Sequence, residues 1–313
     1  MKEYLSLDFG GTFLKYAWID EDYRITEQGR TEAPLESEEH FCRAVAGLAS
    51  RRQISGIAIS MPGILDTDTG YALKAGSYRH LAGKNIYKLL AAYTDLPVTI
   101  ENDGKAAALA ELKMGALQGV NTGAAIIIGT GLGGGVIMDG RLRKGSHYAS
   151  GEFTGFLMKP GSYNMDSSAA MNAGMTGFLL DVARTKHMDP ADFEVSANFV
   201  DHESDRDTKI SGKEVFSWIE NNDPETMAAY QRWLESLVFI MINLKAVLDP
   251  EKIVIGGGVS ANQRFIEDLN REFCRAGEAM SVWKRFDMKI EQCRFRADAN
   301  LIGALCVFRE KYN

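Results

Sequence analysis

Leu7-Asp8-Phe9-Gly10-Gly11-Thr12-Phe13-Leu14-Lys15 sets a Gly-Gly-Thr turn between two apolar runs, Tyr4 to Leu7 and Phe13 to Ile19, that read as strands. Glycine has no Cβ, so the NH groups of Gly10, Gly11 and Thr12 can approach phosphate oxygens closely, with Lys15 following on the second strand. Asp8, at the end of the first strand, can hold Mg²⁺ through water, because Mg²⁺ keeps several waters and takes only one or two carboxylates. An ordinary hairpin turn capped by Asp8 explains the same residues, and this turn alone does not decide between the two.

Outward from the turn, the chain alternates strand and helix patterns, so the fold class is α/β. A third strand is expected near Ile25 to Glu32, a helix over Glu36 to Arg52, and a buried strand over Ile54 to Met61. Ile86 to Tyr93 reads as a short helix, Val98 to Ile100 as a strand and Ala106 to Met114 as a helix. Ala124 to Ile128 and Gly135 to Met138 then repeat the opening pattern of strand, Gly/Thr turn, strand and acidic turn, which suggests an internal duplication. Helices follow over Ser168 to Ala183, Lys213 to Asn221 and Pro224 to Val247, with a polar loop at Asp189 to Thr208. A last buried strand, Lys252 to Ile255, precedes helices at Asn262 to Arg275 and Asn300 to Arg309.

The second glycine turn, Gly129-Thr130-Gly131-Leu132-Gly133-Gly134, formally contains GxGxxG, and Glu152 lies near the distance of a dinucleotide-binding acid. That fingerprint must open a helix, whereas Gly135-Val136-Ile137-Met138 is strand-like, so a β-turn-β phosphate loop is the better assignment. GxxxxGK[ST] occurs nowhere, which excludes a P-loop. The third turn, Gly256-Gly257-Gly258, follows a buried strand and precedes a helix, where small residues let a base or ribose approach. Glu101-Asn102-Asp103-Gly104 stands between a strand and an alanine-rich helix. Asn102 is a good N-cap, and Asp103 is either a first-turn acid or the carboxylate that accepts a hydroxyl proton in phosphoryl transfer.

With 313 residues the chain exceeds what one core usually organises, so two domains of about 150 residues are expected. A net charge of −7 offers no basic footprint for nucleic acid. The longest apolar run, Leu237 to Ile242, is too short for a membrane span, and Met1-Lys2-Glu3-Tyr4 runs straight into a strand; a cytoplasmic protein is expected. Cys42, Cys274, Cys293 and Cys306 lack CxxC spacing and read as reduced thiols.

Taken in order, these pieces resemble the ROK family of the sugar-kinase and actin-like ATPase superfamily. Leu7 to Lys15 and Ile128 to Gly135 are similar to its two phosphate motifs, Ile253 to Asn262 (IVIGGGVSAN) to its adenosine motif, and Ala299 to Leu305 to its closing helix. Glu101 to Glu111 (ENDGKAAALAE) resembles the segment that carries the catalytic base, a role that maps to Asp103. Gly145 to Phe153 resembles the sugar-binding loop, so Glu152 inherits hydrogen bonding to sugar hydroxyls; His147, in the same loop, either faces the ligand or is an ordinary loop histidine. Ser77 and Asn85 fall where the family places further sugar contacts. The family pattern continues after Glu152 with Gly-His, but Thr154 and Gly155 stand there, and no cysteine lies between Cys42 and Cys274. Both parts of the family's zinc site are therefore missing, and no zinc is expected.

The resemblance implies a two-lobed actin-like (ribonuclease H-like) fold, with residues 1–113 and 295–313 in one lobe and 114–294 in the other, and with ATP and sugar in the cleft between lobes. Gly10, Gly11, Thr12, Lys15, Gly129, Thr130, Gly131, Gly133, Gly134, Gly256, Gly257 and Gly258 would bind nucleotide. Asn102, Asp103, Glu152, His147, Ser77 and Asn85 would bind sugar, and Asp8 would hold Mg²⁺. The implied activity is transfer of the γ-phosphoryl group of Mg·ATP to a hexose such as glucose, in a homodimer. A β-glucoside or N-acetylated amino sugar is an alternative acceptor, and a non-catalytic sugar sensor is an alternative from another class.

Overall fold

A computed structural model of the chain describes residues 2–195, 200, 202, 204, 208–280 and 288–312. Part of the loop expected at Asp189 to Thr208 lies outside the described residues. The chain forms two compact units. The first comprises Met1–Ala125, Gly134–Gly151 and Cys293–Asn313; the second comprises Ile126–Gly133 and Glu152–Gln292.

The opening turn joins β1 (Glu3–Phe9) to β2 (Phe13–Asp20), and β3 (Ile25–Glu32) completes an antiparallel meander. Helix α1 (Glu38–Ala49), whose N-cap Ser37 accepts the His40 amide, leads to the fully buried β4 (Ile57–Met61), which pairs parallel to β1. A small sheet of β5 (Ile64–Asp66), β6 (Tyr71–Lys74) and β7 (Lys84–Asn85) follows, in the stretch that carries Ser77 and Asn85. Helix α2 (Ile86–Leu90) and strand β8 (Val98–Asn102) follow, β8 lying parallel to β4, and the sheet order is β3-β2-β1-β4-β8. Directly after β8 comes α3 (Asp103–Met114), whose run Ala106 to Ala110 is entirely buried.

Strands β9 (Gly123–Ile128), β10 (Leu132–Met138) and β11 (Arg141–Arg143) form the second meander. The helix expected over Ser168 to Ala183 is two helices, α4 (Ala169–Ala173) and α5 (Met175–Thr185). Gly174 separates them in extended conformation (φ −78°, ψ 165°), its NH closing on the Ala169 and Ala170 carbonyls. Helices α6 (Gly212–Glu220) and α7 (Pro224–Leu248) follow, the latter capped by Asp223 with Pro224 at its first position, where the missing NH costs nothing. Strand β12 (Lys252–Gly256), helix α8 (Gln263–Ala279) and strand β13 (Lys289–Gln292) come next. The second five-stranded sheet has the order β11-β10-β9-β12-β13, with β12 and β13 parallel. A meander continued on one side by parallel strands is the arrangement of the first sheet, which supports the duplication suggested by the two strand-turn-strand segments.

Helix α9 (Ala299–Tyr312) returns the chain to the first unit and is buried from Leu301 to Phe308. It packs along the alanine run of α3 and the backs of β1 and β4, with Ser6 Oγ donating to Leu301 O at 2.6 Å. In the second unit, Trp233 of α7 stacks on Phe178 and Phe265, at 4.5 and 5.0 Å between ring centroids, and its Nε1 donates to Ala173 O. Stacked aromatics of this kind contribute about 0.5–1.5 kcal/mol beyond their area burial, so they fix α5, α7 and α8 against one another.

Candidate active site

In the first unit the Gly10-Gly11-Thr12 turn is closed by Gly10 N donating to Phe13 O at 3.0 Å. The buried Tyr78 supports it from beneath, its hydroxyl donating to Gly10 O at 2.8 Å while its ring packs on Phe9 and Phe41. Gly11 and Thr12 are exposed, and Ser77 Oγ lies beside Gly11. Asp8 is 5% exposed at the end of β1. Its Oδ1 accepts from Ser60 Oγ at 3.2 Å and from Asn300 Nδ2 at 3.0 Å, and Lys15 Nζ stands 3.8 Å from its Oδ2. Burial pushes the Asp8 carboxyl above the usual carboxylate range, against the pull of Asn300, Lys15 and Ser60. A buried carboxylate so placed gains by meeting a cation. A single acid meets the protein's share of a hydrated Mg²⁺, which keeps most of its ligands as water and phosphate. Among the described residues, no three of His, Cys, Asp and Glu converge into a metal-ligating group.

The junction of β8 and α3 places the candidate base. Asn102 is the N-cap: its Oδ1 accepts the Lys105 amide at 3.0 Å, and its Nδ2 donates to Gly63 O at 2.9 Å. Asp103 follows as the first residue of α3, half-buried, with Oδ1 accepting the Gly104 amide at 2.8 Å. A Cβ on Gly104 would lie 2.4 Å from Gly134 N, so only glycine lets this helix start approach β10. Gly133 and Gly134 therefore belong to a strand and not to the turn, which is shorter than expected and comprises Gly129, Thr130 and Gly131. Asn85 caps α2 through Oδ1 and donates from Nδ2 to Thr69 O, so its side chain is already engaged locally. His147 is exposed in the loop after β11.

In the second unit, the other two glycine turns come together. The carbonyls of Gly129 and Thr130 accept the Met175 and Thr176 amides at the start of α5. Gly257 holds φ +89°, and a Cβ there would lie 1.9 Å from Ile128 O, which is why a glycine must separate Gly256 from Gly258. Gly129, Thr130 and Gly258 border one cavity of about 190 Å³. Gly258 also borders a larger one of about 700 Å³, lined by Lys213, Phe216, Ser217 and Glu220 of α6. The larger volume suits a nucleoside and the smaller one adjoins the candidate phosphate turn. Glu152 is half-buried and is followed by a short 3₁₀ turn, Phe153–Gly155. Thr154, on that turn, donates from Oγ1 to Leu132 O at 2.9 Å and accepts from Leu132 N at 3.3 Å, clamping the end of the second glycine turn.

Asn300, Tyr78 and Thr154 carry no motif signal of their own. Asn300 falls within the closing-helix segment, and only its hydrogen bond to a residue 292 positions away gives it a role at the site.

The ROK family model matches residues 4–311. A β-glucoside kinase of Listeria innocua is 27% identical over 323 residues, covering 98% of each chain. Among solved structures, a Streptococcus pneumoniae ROK family protein in complex with sucrose superposes with a TM-score of 0.84 and 26% identity, covering 99% of this chain and 98% of that one. A Streptomyces griseus ROK family glucokinase, solved with glucose and AMPPNP, gives a TM-score of 0.80 at 23% identity over 98% and 99% of the two chains. The chain has their actin-like ATPase fold.

Proposed function

Because the chain belongs to the ROK family, we propose that it is a kinase moving the γ-phosphoryl group of Mg·ATP onto the O6 hydroxyl of a hexose such as glucose, or of a simple hexoside. The observation that carries this reading is the division of labour at the start of α3. Asn102 already provides the cap, so helix capping does not account for a carboxylate at Asp103. Asp103 is the base. It takes the proton of the attacking hydroxyl as the bond from sugar oxygen to γ-phosphorus forms and the bond from that phosphorus to the bridging oxygen breaks, releasing ADP.

Nucleotide is held by the Gly129-Thr130-Gly131 turn and Gly256-Gly257-Gly258, whose cavities fit a nucleoside with its phosphates, and by Gly10, Gly11, Thr12 and Lys15. Asp8 orients the waters of the Mg²⁺ that arrives with ATP, and that ion supplies neutralisation of phosphate charge. Asn102, Asp103 and Glu152 orient the sugar, with Ser77, Asn85 and His147 as further contacts. Among the described residues no helix is long and apolar enough to cross a membrane, in keeping with a cytoplasmic enzyme. A homodimer is expected, and a monomeric mass by light scattering at micromolar concentration counts against it.

The deciding test is ADP release coupled to a sugar panel of glucose, mannose, aryl and alkyl β-glucosides, N-acetylglucosamine and N-acetylmannosamine. Stimulation by at least one sugar supports the proposal. Sugar binding by calorimetry without ADP release from any member replaces it with a non-catalytic sensor.

A further inference from the structure

The side chain of Glu101 points away from the candidate site, yet it is completely buried at the second-last position of β8. Its Oε1 accepts the Asn102 amide at 2.9 Å. Its Oε2 makes no hydrogen bond of good geometry and relies on the Lys144 ammonium 3.4 Å away. A cavity of about 490 Å³ lined by Glu101, Lys144 and Leu142 adjoins the pair, so the orientation of the carboxylate rests on charge more than on close packing. Burial pushes the Glu101 carboxyl up, against the pull of the Lys144 ammonium, then of the Asn102 amide, then of Lys105.

Lys144 opens the loop that leads into Glu152. Its Nζ also donates to Thr67 Oγ1, while Tyr148 OH donates to Asp68 Oδ2 at 3.3 Å and Ser150 N donates to Lys144 O at 3.1 Å. Tyr148 holds φ +57°, a conformation that an aromatic residue keeps only when its surroundings over-determine it. An ion pair with one partner buried and the other partly exposed, as here, contributes little net stability. Its gain here is geometrical: one side chain touches both the backbone ahead of Asp103 and the root of the sugar loop.

We propose that Glu101 and Lys144 are positioning residues that lock the loop over residues 144–151 to the β8–α3 junction and thereby set sugar affinity. This rests on the sugar-kinase reading above, and the test separates the two. Glu101→Gln, Lys144→Met and the double variant are compared by hydrogen exchange of the loop amides in the unliganded protein, by melting temperature, and by KM for sugar and for ATP. Either single change is expected to speed loop exchange and raise sugar KM about tenfold, leave ATP KM within about twofold, and lose nothing further in the double variant, because the pair acts as a unit. Lys144→Met alone carries the test if Glu101→Gln does not fold. Unchanged loop exchange overturns the proposal, whether or not any sugar is phosphorylated. Equal loss of sugar and ATP affinity with a lowered melting temperature also overturns it, by showing a merely structural role. Absence of phosphorylation with accelerated loop exchange keeps the locking pair and rejects the kinase reading.

Discussion

Asn102 donates its side-chain amide to the carbonyl of Gly63 at 2.9 Å while its amide oxygen caps α3. The N-cap is thus Asn102 and not Asp103, and mutation separates the two. Asp103→Asn is expected to lower kcat by about 10²–10⁴ with fold and sugar affinity retained, because it removes only a basic oxygen. Asn102→Ala is expected to cost about 0.5–2 kcal/mol of stability through the lost cap. A kcat for Asp103→Asn within about threefold of wild type removes it as the base.

Asp8→Asn tests the buried acid, and its two effects have opposite signs. Phosphoryl transfer is expected to collapse, since the carboxylate proposed to meet hydrated Mg²⁺ is gone. Stability is expected to move the other way. Because the folded carboxyl titrates above its unfolded counterpart, the native state binds more protons between the two values, and stability falls as pH rises through that window. Removing the acid should therefore raise the melting temperature at neutral pH, with the gain fading below the ordinary carboxylate range. A pH-independent loss of stability contradicts this.

Glu152→Ala is expected to raise the KM for sugar by roughly one to two decades with little change for ATP, since charge-assisted hydrogen bonds to hydroxyls contribute about 1.5–3 kcal/mol each. Steady-state kinetics with each substrate varied in turn check this. Parallel loss of both affinities points to misfolding instead.

Thr154→Val keeps side-chain shape but strips the clamp from both Leu132 backbone groups. Leaving such groups without a partner costs about 1–3 kcal/mol when they are buried. The expected result is a lower melting temperature and a raised KM for ATP, measured against an unaltered KM for sugar. An unchanged ATP KM shows that the glycine turn holds its shape without the hydroxyl.

Gly155 occupies the place of the family's ligand histidine, so the purified protein is expected to carry no stoichiometric zinc and to keep its melting temperature in chelator. Structural zinc contributes on the order of 10 kcal/mol or more where it is present. About one tightly held zinc per chain by elemental analysis refutes the expectation.

What the sequence discloses here is local. The meander β1-β2-β3, the glycine turns and the cap at Asn102 follow from alternation, from residues lacking a Cβ and from a side-chain oxygen three residues ahead of an amide, so each is legible within a dozen positions. The break at Gly174 is not, because the flanking residues are good helix formers and the break is registered by contacts with Ala169, Ala170 and the Gly129-Thr130 turn. The small sheet β5-β6-β7 is hidden by strands as short as two residues. Glu101 stands in plain view inside ENDGK, but strand alternation turns it away from Asn102, and its partner Lys144 lies far along the chain. Packing of β10 from Gly134 onward with the first unit likewise depends on distant contacts, among them the approach of Gly104.

Helix α9 places a condition on biosynthesis. Its Asn300 holds Asp8, its Leu301 carbonyl takes the Ser6 hydroxyl, and its apolar residues cover β1, β4 and α3. During translation the face of β1 and β4 that α9 covers stays open while nearly all the remaining chain is made, about half a minute at typical elongation rates, whereas α1 can cover the opposite face early. The second unit, continuous from Glu152 to Gln292 apart from one short early segment, can gather its own core during that interval. The nascent protein is thus expected to carry one uncovered face of its N-terminal sheet for most of its synthesis. Stalling translation just before residue 299 should yield a product that binds chaperones through that sheet, and releasing it past residue 312 should let go.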